Sequence, residues 1–229
     1  MAGARKDPSK PKTHASDPPA GPLAWRRGGA VVAFVLLAGA GLTADLATKH
    51  AAFRSLLDDP ALAGQVRALT SEHGEKPPAD QVLRVLRRQR AVCPGFSLTL
   101  STNPGVVFGL PMPPWAVAIA TAGTIALVGA FFATSPAAAR WTHVALALIL
   151  AGAVGNFYDR MLAKVFVPGI DRPITGQVRD FLDFSEIGYP YVFNVADVLL
   201  VVGVAMLILY WYVAGRRERK SERPARKTK

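Results

Sequence analysis

Four long apolar segments alternate with polar segments along the 229 residues of the chain. They extend from about Gly28 to Lys49, from Pro113 to about Thr134, from about Arg140 to Tyr158, and from about Tyr191 to Val213. A helix of roughly 20 apolar residues is long enough to cross the hydrocarbon core of a bilayer. The pattern therefore predicts an all-α membrane protein with four transmembrane helices and an extended loop region on its outer side.

The positions of the charged residues favour a membrane protein over a soluble one. No charged residue lies between Arg90 and Arg140, and Asp197 is the only one between Glu186 and Arg216. A soluble protein rarely keeps its charges out of such long stretches, whereas a lipid-facing helix must do so.

The basic residues concentrate near the two ends of the chain, which has a net charge of +11. We expect residues 1–27 and 214–229 to be basic cytoplasmic tails, the first of them disordered, around a membrane domain at 28–213. Four spans place both termini on one side, so the connections 51–112 and 159–190 face outward. The charge indicates attraction to anionic lipid, because no nucleic-acid-binding module accompanies it.

The first outward connection contains an amphipathic pattern. Residues 81–90 place Val82, Leu83, Val85 and Leu86 on one helical face and arginines on the other. This pattern is typical of a helix at the membrane surface. A short helix packed on its neighbours fits it equally well, and the loop region also has room for small strands.

Asp197 is the residue that points most directly to function. It lies about six residues inside the fourth apolar segment, one to two helical turns below the expected outer surface, where a carboxylate needs polar partners or water. A structural hydrogen bond between helices would also explain it. Asp180 precedes it on the same outer side, so the chain can bring the two carboxylates together. Two carboxylates that share a site hold one proton between them, as in aspartic peptidases.

Five short motifs accompany these two aspartates. They are Asp45 with Lys49 (D-x-x-x-K), the segment 103–109 (NxGxxFG), the segment 155–160 (GNxxDR), the segment 178–181 (VxDF) and the segment 193–197 (FNxAD). In type and order the motifs resemble those of the bacterial lipoprotein signal peptidases, also called type II signal peptidases. The resemblance covers about residues 28–213.

The resemblance implies an aspartic endopeptidase of the bacterial plasma membrane, with Asp180 and Asp197 as its catalytic dyad. It implies a prolipoprotein substrate that is cut, near the outer face, just before a cysteine carrying diacylglycerol. It implies no cofactor and no metal, membrane lipid as a second partner, and a monomer. The residues that would bind substrate or support the site are Asp45, Lys49, Asn103, Gly105, Asn156, Asp159, Arg160 and Asn194.

Several of these residues have a purely structural alternative. Asp45 and Lys49 are spaced to pair along one helix turn, and Asp159 and Arg160 would form an ion pair at a helix end. His143, alone near the cytoplasmic end of the third segment, is expected to be a hydrogen-bonded residue between helices rather than a metal ligand.

Other carboxylates rank below the dyad. Asp183 lies outside the matched motif, and Asp171 and Glu186 are expected to be solvated loop charges. The only cysteine, Cys93, allows neither an intrachain disulfide nor a cysteine-based metal site.

The chain departs from the family pattern in three places that border the expected site. Pro104, Val106 and Val107 replace a small polar residue and alanines, which would narrow the pocket. The first outer loop is long, and the stretch 161–177 is longer than is usual. These differences bear on substrate access and leave the dyad intact.

Two other classes of function compete with the peptidase. A small proton-coupled transporter or channel would use Asp197 as part of a proton relay and would distribute acidic residues through the membrane depth. A non-catalytic assembly protein would keep its function after substitution of either aspartate by asparagine.

Overall fold

The computed structural model of the protein describes residues 21–72, 82–83, 89–107, 110–111 and 113–221. Within these residues, four helices have the length and hydropathy of membrane spans. They are α1 (Gly28–Leu57), α3 (Pro114–Thr134), α4 (Arg140–Met161) and α5 (Val195–Ser221). The predicted four-span architecture is confirmed.

Three of the four helices differ in length from the apolar segments. Helix α1 continues to Leu57, because its last turns bury Ala52, Phe53 and Leu56 in the protein rather than in lipid. Helix α4 ends at Met161. Helix α5 extends to Ser221, beyond the predicted end of the fourth segment. Hydropathy locates the lipid-exposed part of a helix, and the helix itself can run further.

Helix α4 lies at the centre of the bundle. Within its membrane-spanning window 56% of the residues are buried, against 11% or less for each of the other three helices. Small residues allow this central position, because they let neighbouring backbones approach closely. A Cβ atom on Gly203 of α5 would lie 2.6 Å from Ile149 Cγ1 and 2.7 Å from the carbonyl oxygen of Ala145, both on α4.

One end of the bundle, where α1 and α4 contact β7, carries a four-stranded antiparallel sheet. Its strands are β1 (Gln89–Cys93), β2 (Phe96–Asn103), β7 (Val178–Asp183) and β8 (Val192–Phe193), in the order β1-β2-β7-β8. Two short ladders join β3 (Val106–Val107) to β4 (Leu110–Pro111) and β5 (Lys164–Val165) to β6 (Ile174–Thr175). The sheet positions both aspartates, because Asp180 lies on β7 and Asp197 follows β8, four residues after Phe193.

The two segments that depart in length from the family pattern pack against each other. Helix α2 (Pro60–Glu72), in the first outer loop, buries Leu62 and Val66 in one cluster with Val167 and Ile174 of the second. Gly169 approaches Val66 closely. The two long connections therefore form one packed unit beside the sheet.

The predicted surface helix at 81–90 is only partly covered by the described residues, since 81 and 84–88 lie outside them. Val82 and Leu83 are helical and buried in the same outer cluster. Gln89 and Arg90 belong to a strand, so the prediction of a helix over them is wrong. The burial of Val82 and Leu83 favours a segment packed on its neighbours.

The end of the bundle opposite to the sheet is closed by residues that precede α1. Ala24, in a 3-10 turn over Ala24–Arg26, is fully buried and donates a backbone hydrogen bond to Ser135 O at 2.8 Å. Ala137 N–H donates to Pro22 O at 2.9 Å. Residues 21–27 are thus ordered, contrary to the predicted disordered tail, because their backbone pairs with the loop before α4. Residues 1–20 lie outside the described part of the chain.

His143 lies near the start of α4. Its Nε2 atom is 2.8 Å from Ser135 Oγ at the end of α3, and its ring meets Phe132 edge-on. The expectation of a hydrogen-bonded residue between helices is confirmed.

The close contact between α4 and α5 predicts that Gly203→Val destabilises the protein by about 1–3 kcal/mol, because the added side chain must displace the α4 backbone. Gly123→Val in α3 is the matched control, since no atom lies within 4 Å of its Cβ position. Unfolding free energies from detergent titration would test this. Equal stabilities of the two variants would contradict the packing.

Candidate active site

The first turn of α5 is fixed by two side chains of the FNxAD motif. Asn194 precedes the helix, and its Oδ1 atom accepts the backbone N–H of Asp197 at 3.0 Å. Asp197 Oδ2 in turn accepts the backbone N–H of Asn194 at 3.2 Å. This reciprocal pair is a capping box, with aspartate in the place where glutamate is commoner. The motif therefore defines both the start of α5 and the position of Asp197.

The position of Asp197 differs from the sequence prediction. It is the third residue of α5, in the first helical turn, and not one to two turns below the outer end of the span. The predicted segment begins at about Tyr191, but Val192 and Phe193 form β8 and Asn194 forms the helix cap. At this position the partial positive charge of the helix N-terminus favours a carboxylate.

Asp180 reaches the same place from the sheet. It lies on β7, where its side chain is buried, and it accepts a hydrogen bond from Asn194 Nδ2. Asn156 of α4 completes the bridge, since its Nδ2 donates to Asp197 Oδ1 at 2.8 Å and its Oδ1 accepts Asn194 Nδ2 at 3.2 Å. Two amide side chains thus join the two carboxylates in one hydrogen-bonded group.

The electrostatic environment of Asp180 favours its protonated form. Burial in the first place, and the nearby carboxylate of Asp197 in the second, raise the pKa of Asp180 to about 7. The hydrogen bond from Asn194 and the charges of Lys49 and Arg160 act in the opposite direction and are outweighed. Asp180 therefore holds a proton in a large fraction of molecules at neutral pH.

Lys49 lies at the base of this group and is completely buried. Its Nζ atom is 2.8 Å from Asp45 Oδ2 and 3.1 Å from Asp159 Oδ2, and it donates to Asn156 Oδ1 at 3.0 Å. The predicted Asp45–Lys49 pair is confirmed. A buried lysine with three oxygen partners fixes the amide that contacts Asp197.

Asp45 also acts on α5 directly. Its Oδ1 atom accepts the backbone N–H of Ala196 at 2.8 Å, which satisfies a further free N–H of the first helical turn. A Cβ atom on Gly155 would collide with Asp45 Oδ2. The glycine of the GNxxDR motif is therefore required for the close approach of α1 to α4.

The ion pair predicted between Asp159 and Arg160 is wrong. Among the described residues, Asp159 pairs with Lys49 and with Arg179, whose Nη2 lies 2.6 Å from Asp159 Oδ1. The backbone N–H of Arg179 also donates to Asp159 Oδ2 at 3.0 Å. Neighbouring residues on a helix point in different directions, which leaves Asp159 free to face the sheet. Arg160 Nη1 donates to Asn156 O at 3.3 Å, with its charge near both aspartates.

Asn103 and Gly105 support the strand beside Asp180. Asn103 pairs in the sheet with Val178, and its Oδ1 accepts the backbone N–H of Gly105 at 2.9 Å. Gly105 has a φ of 104°, in the left-handed region that favours glycine. Asn103 is two residues along β2 from Ser101, which pairs with Asp180. That Asn103 and Gly105 bind substrate or support the site stays a prediction.

Asp183 is excluded as an alternative member of the dyad by the alternation of side chains along β7, which places it on the opposite face from Asp180. It accepts Thr99 Oγ1 at 2.7 Å and the backbone N–H of Ser185 at 2.9 Å. Burial alone would raise the pKa of Asp183, but the hydrogen bonds from Ser185 and Thr99 outweigh it and hold that pKa below its ordinary value.

The other carboxylates expected in loops are exposed. Glu186 accepts the backbone N–H of Gly95 at 3.0 Å, so it also braces the β1–β2 turn. Asp171 has a polar or charged partner as well. Within the described residues, no group of three or more His, Cys, Asp or Glu side chains is arranged to hold a metal ion.

Arg179 is the site residue that the sequence analysis missed. It is adjacent to Asp180 in the VxDF motif, but its partner Asp159 is twenty positions away across an unusually long connection. No spacing rule links two such positions. The only indication in the sequence is that Arg179 is a charged residue next to Asp180.

The buried network predicts a large effect of Lys49→Met. The substitution would leave the carboxylates of Asp45 and Asp159 buried without this cation and should destabilise the protein by about 3–5 kcal/mol. Arg54→Met is the matched control on the same helix, because the Arg54–Asp58 pair is exposed and should contribute less than about 1 kcal/mol. Equal unfolding free energies for the two variants would contradict the account.

Comparison with known proteins identifies the family of the chain. The family described as Signal peptidase (SPase) II matches residues 37–213. The lipoprotein signal peptidase of Desulfitobacterium hafniense is 36% identical over 129 residues, which cover 56% of this chain and 76% of that protein. The lipoprotein signal peptidase of Acaryochloris marina is 37% identical over 134 residues, covering 56% and 71% respectively.

A solved structure described as a bacterial membrane enzyme shares the fold. It superposes with a TM-score of 0.56 at 23% identity and covers 87% of this chain and 96% of its own. Because the family match spans most of the membrane domain and includes every residue of the Asp180–Asp197 network, the chain belongs to the signal peptidase II family of membrane peptidases.

Proposed function

We propose that the protein is an aspartic endopeptidase that removes signal peptides from prolipoproteins by cutting just before the diacylglyceryl-modified cysteine. One observation carries this proposal: Asn194 hydrogen-bonds Asp180 while it caps the helix turn that presents Asp197. Membership of the signal peptidase II family supports the peptidase activity. The names of the relatives, lipoprotein signal peptidases, support the class of substrate.

The different environments of the two carboxylates suggest different roles. Asp180 is 3% exposed and has a raised pKa, so it is the member that holds the proton. Asp197 is half-buried in the first turn of α5 and accepts hydrogen bonds from Asn156 and Asn194, so we assign it the role of general base.

The reaction then proceeds in two proton-coupled steps. Asp197 takes a proton from water while the water oxygen bonds to the scissile carbonyl carbon, and Asp180 gives its proton to the carbonyl oxygen. When the tetrahedral intermediate collapses, the carbon–nitrogen bond breaks and the proton on Asp197 passes to the leaving nitrogen. Asp180 recovers its proton from the hydroxyl group that becomes the new carbonyl.

The surrounding residues act by positioning. Lys49 holds Asn156, and Asn156 donates to Asp197 Oδ1. Asn194 donates from its side chain to Asp180 Oδ1 and from its backbone to Asp197 Oδ2. Because a carboxylate oxygen can accept more than one hydrogen bond, both groups can still bind water or substrate. Such fixed dipoles need little reorganisation when charge moves during the reaction.

The position of the site in the bundle fits a substrate anchored in the membrane. The ring of Tyr189 contacts the rings of Tyr191 and Phe193 just before the start of α5. Exposed tyrosines are enriched at membrane–water interfaces. We place this interface at the outer face of the bacterial plasma membrane, with both basic termini in the cytoplasm and the protein acting as a monomer.

The arrangement of acidic residues favours a peptidase over a proton-coupled transporter. Asp45, Asp159, Asp180 and Asp197 all belong to one network at one end of the bundle. At the other end, the described part of α4 offers His143, which is bound to Ser135. A transporter would need titratable groups at successive depths.

Substitution of either member of the dyad should abolish cleavage. Asp180→Asn and Asp197→Asn are each expected to lower kcat/KM by at least about 10²-fold, because each removes one of the two proton-transfer groups. The measurement is cleavage of a diacylglyceryl-modified precursor by purified protein. Asp183→Asn, on the same strand but facing away, should retain activity. Near-normal cleavage by either dyad variant would refute the mechanism.

The raised pKa of Asp180 predicts the alkaline side of the pH profile. As the pH rises through about 7, Asp180 loses the proton that it must donate, so kcat/KM should fall. Asp183→Asn should leave this fall unchanged, since the pKa of Asp183 is lowered. A rate that stays constant or rises above neutral pH would show that Asp180 is not the proton donor.

A further inference from the structure

A second concave site lies at the end of the bundle opposite to the carboxylates. It is a groove of about 810 Å³ between the first turns of α1 and α4, closed on one side by residues 21–22 and 137–138. Its size falls within the roughly 300–1,000 Å³ that is usual for ligand sites. The site is separate from Asp180 and Asp197, which lie beside the far ends of α1 and α4, next to Lys49 and Asn156.

The mouth of the groove is held in place by backbone hydrogen bonds. Ala24 N–H donates to Ser135 O, and Ala137 N–H donates to Pro22 O. Leu23 and Pro136 form a β-bridge between the same two segments. These contacts fix the shape of the groove and hold the start of α1 next to the start of α4.

Two arginines lie at this mouth. Arg27 and Arg140 both line the groove and are both exposed, and within the described residues neither forms an ion pair. Helices α1 and α4 begin at this level without an acidic residue in their first turns, so their dipoles add to the positive charge. The mouth is thus positive and lacks a counter-charge from these helices.

The wall below the arginines is apolar. It is formed by Ala33, Phe34 and Leu37 of α1 and by Val144 of α4. Phe34 is stacked on Phe132 at 4.0 Å between ring centroids, which fixes its orientation. His143 also lines the groove but is hydrogen-bonded to Ser135. The site therefore combines a cationic mouth with a hydrocarbon-like wall at membrane depth.

We propose that this groove binds one anionic phospholipid, with its phosphate between Arg27 and Arg140 and part of an acyl chain along Ala33, Phe34, Leu37 and Val144. The charge pattern selects an anionic headgroup, and the apolar wall selects a lipid over a free phosphate ion. The lipid belongs to the leaflet opposite to the one that the carboxylates face, so it is not a substrate. It would hold the segment before α1 against the loop before α4.

Native mass spectrometry of the full chain in detergent, titrated with phosphatidylglycerol, tests the proposal. Wild-type protein should bind one phosphatidylglycerol at least about tenfold more tightly than phosphatidylcholine with the same acyl chains. The double variant Arg27→Gln/Arg140→Gln should bind phosphatidylglycerol roughly 30-fold more weakly, because two cationic contacts are lost.

The matched control is Arg26→Gln/Arg216→Gln, which removes the same charge near the same end of the bundle. These arginines lie outside the groove, over the rings of Trp25 and Tyr212 respectively. The control should bind phosphatidylglycerol as the wild type does. Equal weakening of both double variants would show only general attraction between a basic protein and an acidic lipid, and would overturn the proposal.

A second pair of variants tests the acyl wall. Ala33→Trp fills the groove and should abolish tight binding of phosphatidylglycerol, whereas Leu36→Trp, exposed on the same helix but outside the groove, should not. Unchanged peptidase activity would show that both variants are folded. Wild-type lipid binding by Ala33→Trp, or equal affinities for the two lipids in the wild type, would refute the site.

Discussion

The structure depends on one side chain that satisfies two needs at once. Asn194 caps the first turn of α5 through its carbonyl oxygen and binds Asp180 through its amide nitrogen. The cap fixes Asp197, because Asp197 is the third residue of the turn and returns a hydrogen bond to Asn194. The first turn of any helix must satisfy its free N–H groups. Here the residue that does so, Asn194, also brings Asp180 and Asp197 together.

The buried carboxylates need opposite charges and hydrogen bonds from the rest of the bundle. Lys49, Asp45, Asp159 and Arg179 form a continuous buried chain of ion pairs that links α1, α4 and β7. Such networks are stable only when every member keeps its partner. Asn156 connects this chain to Asp197, so the network that balances the charges also orients the proposed catalytic pair. Stability and the proposed activity therefore depend on the same contacts.

Much of this was predictable from the sequence, for definite reasons. Long apolar runs identify transmembrane helices in a sequence. The motifs around Asp180 and Asp197 identified the two carboxylates that the structure brings together. The start of α5 was missed because the short strand Val192–Phe193 before it is as apolar as a helix. The docking of Ala24 and the pairing of Arg179 with Asp159 were missed because both join segments distant in sequence. The packing of α2 on the loop after α4 has the same cause.

The central claim is that Asp180 and Asp197 hold a single proton, located mainly on Asp180, at neutral pH. Infrared difference spectroscopy during a pH titration measures this directly, because a protonated carboxyl group has a carbonyl band that a carboxylate lacks. The account predicts such a band just below pH 7 that fades as the pH rises through about 7 and is missing in Asp180→Asn. A band that Asp180→Asn leaves intact, or no band in the wild type below pH 7, would contradict it.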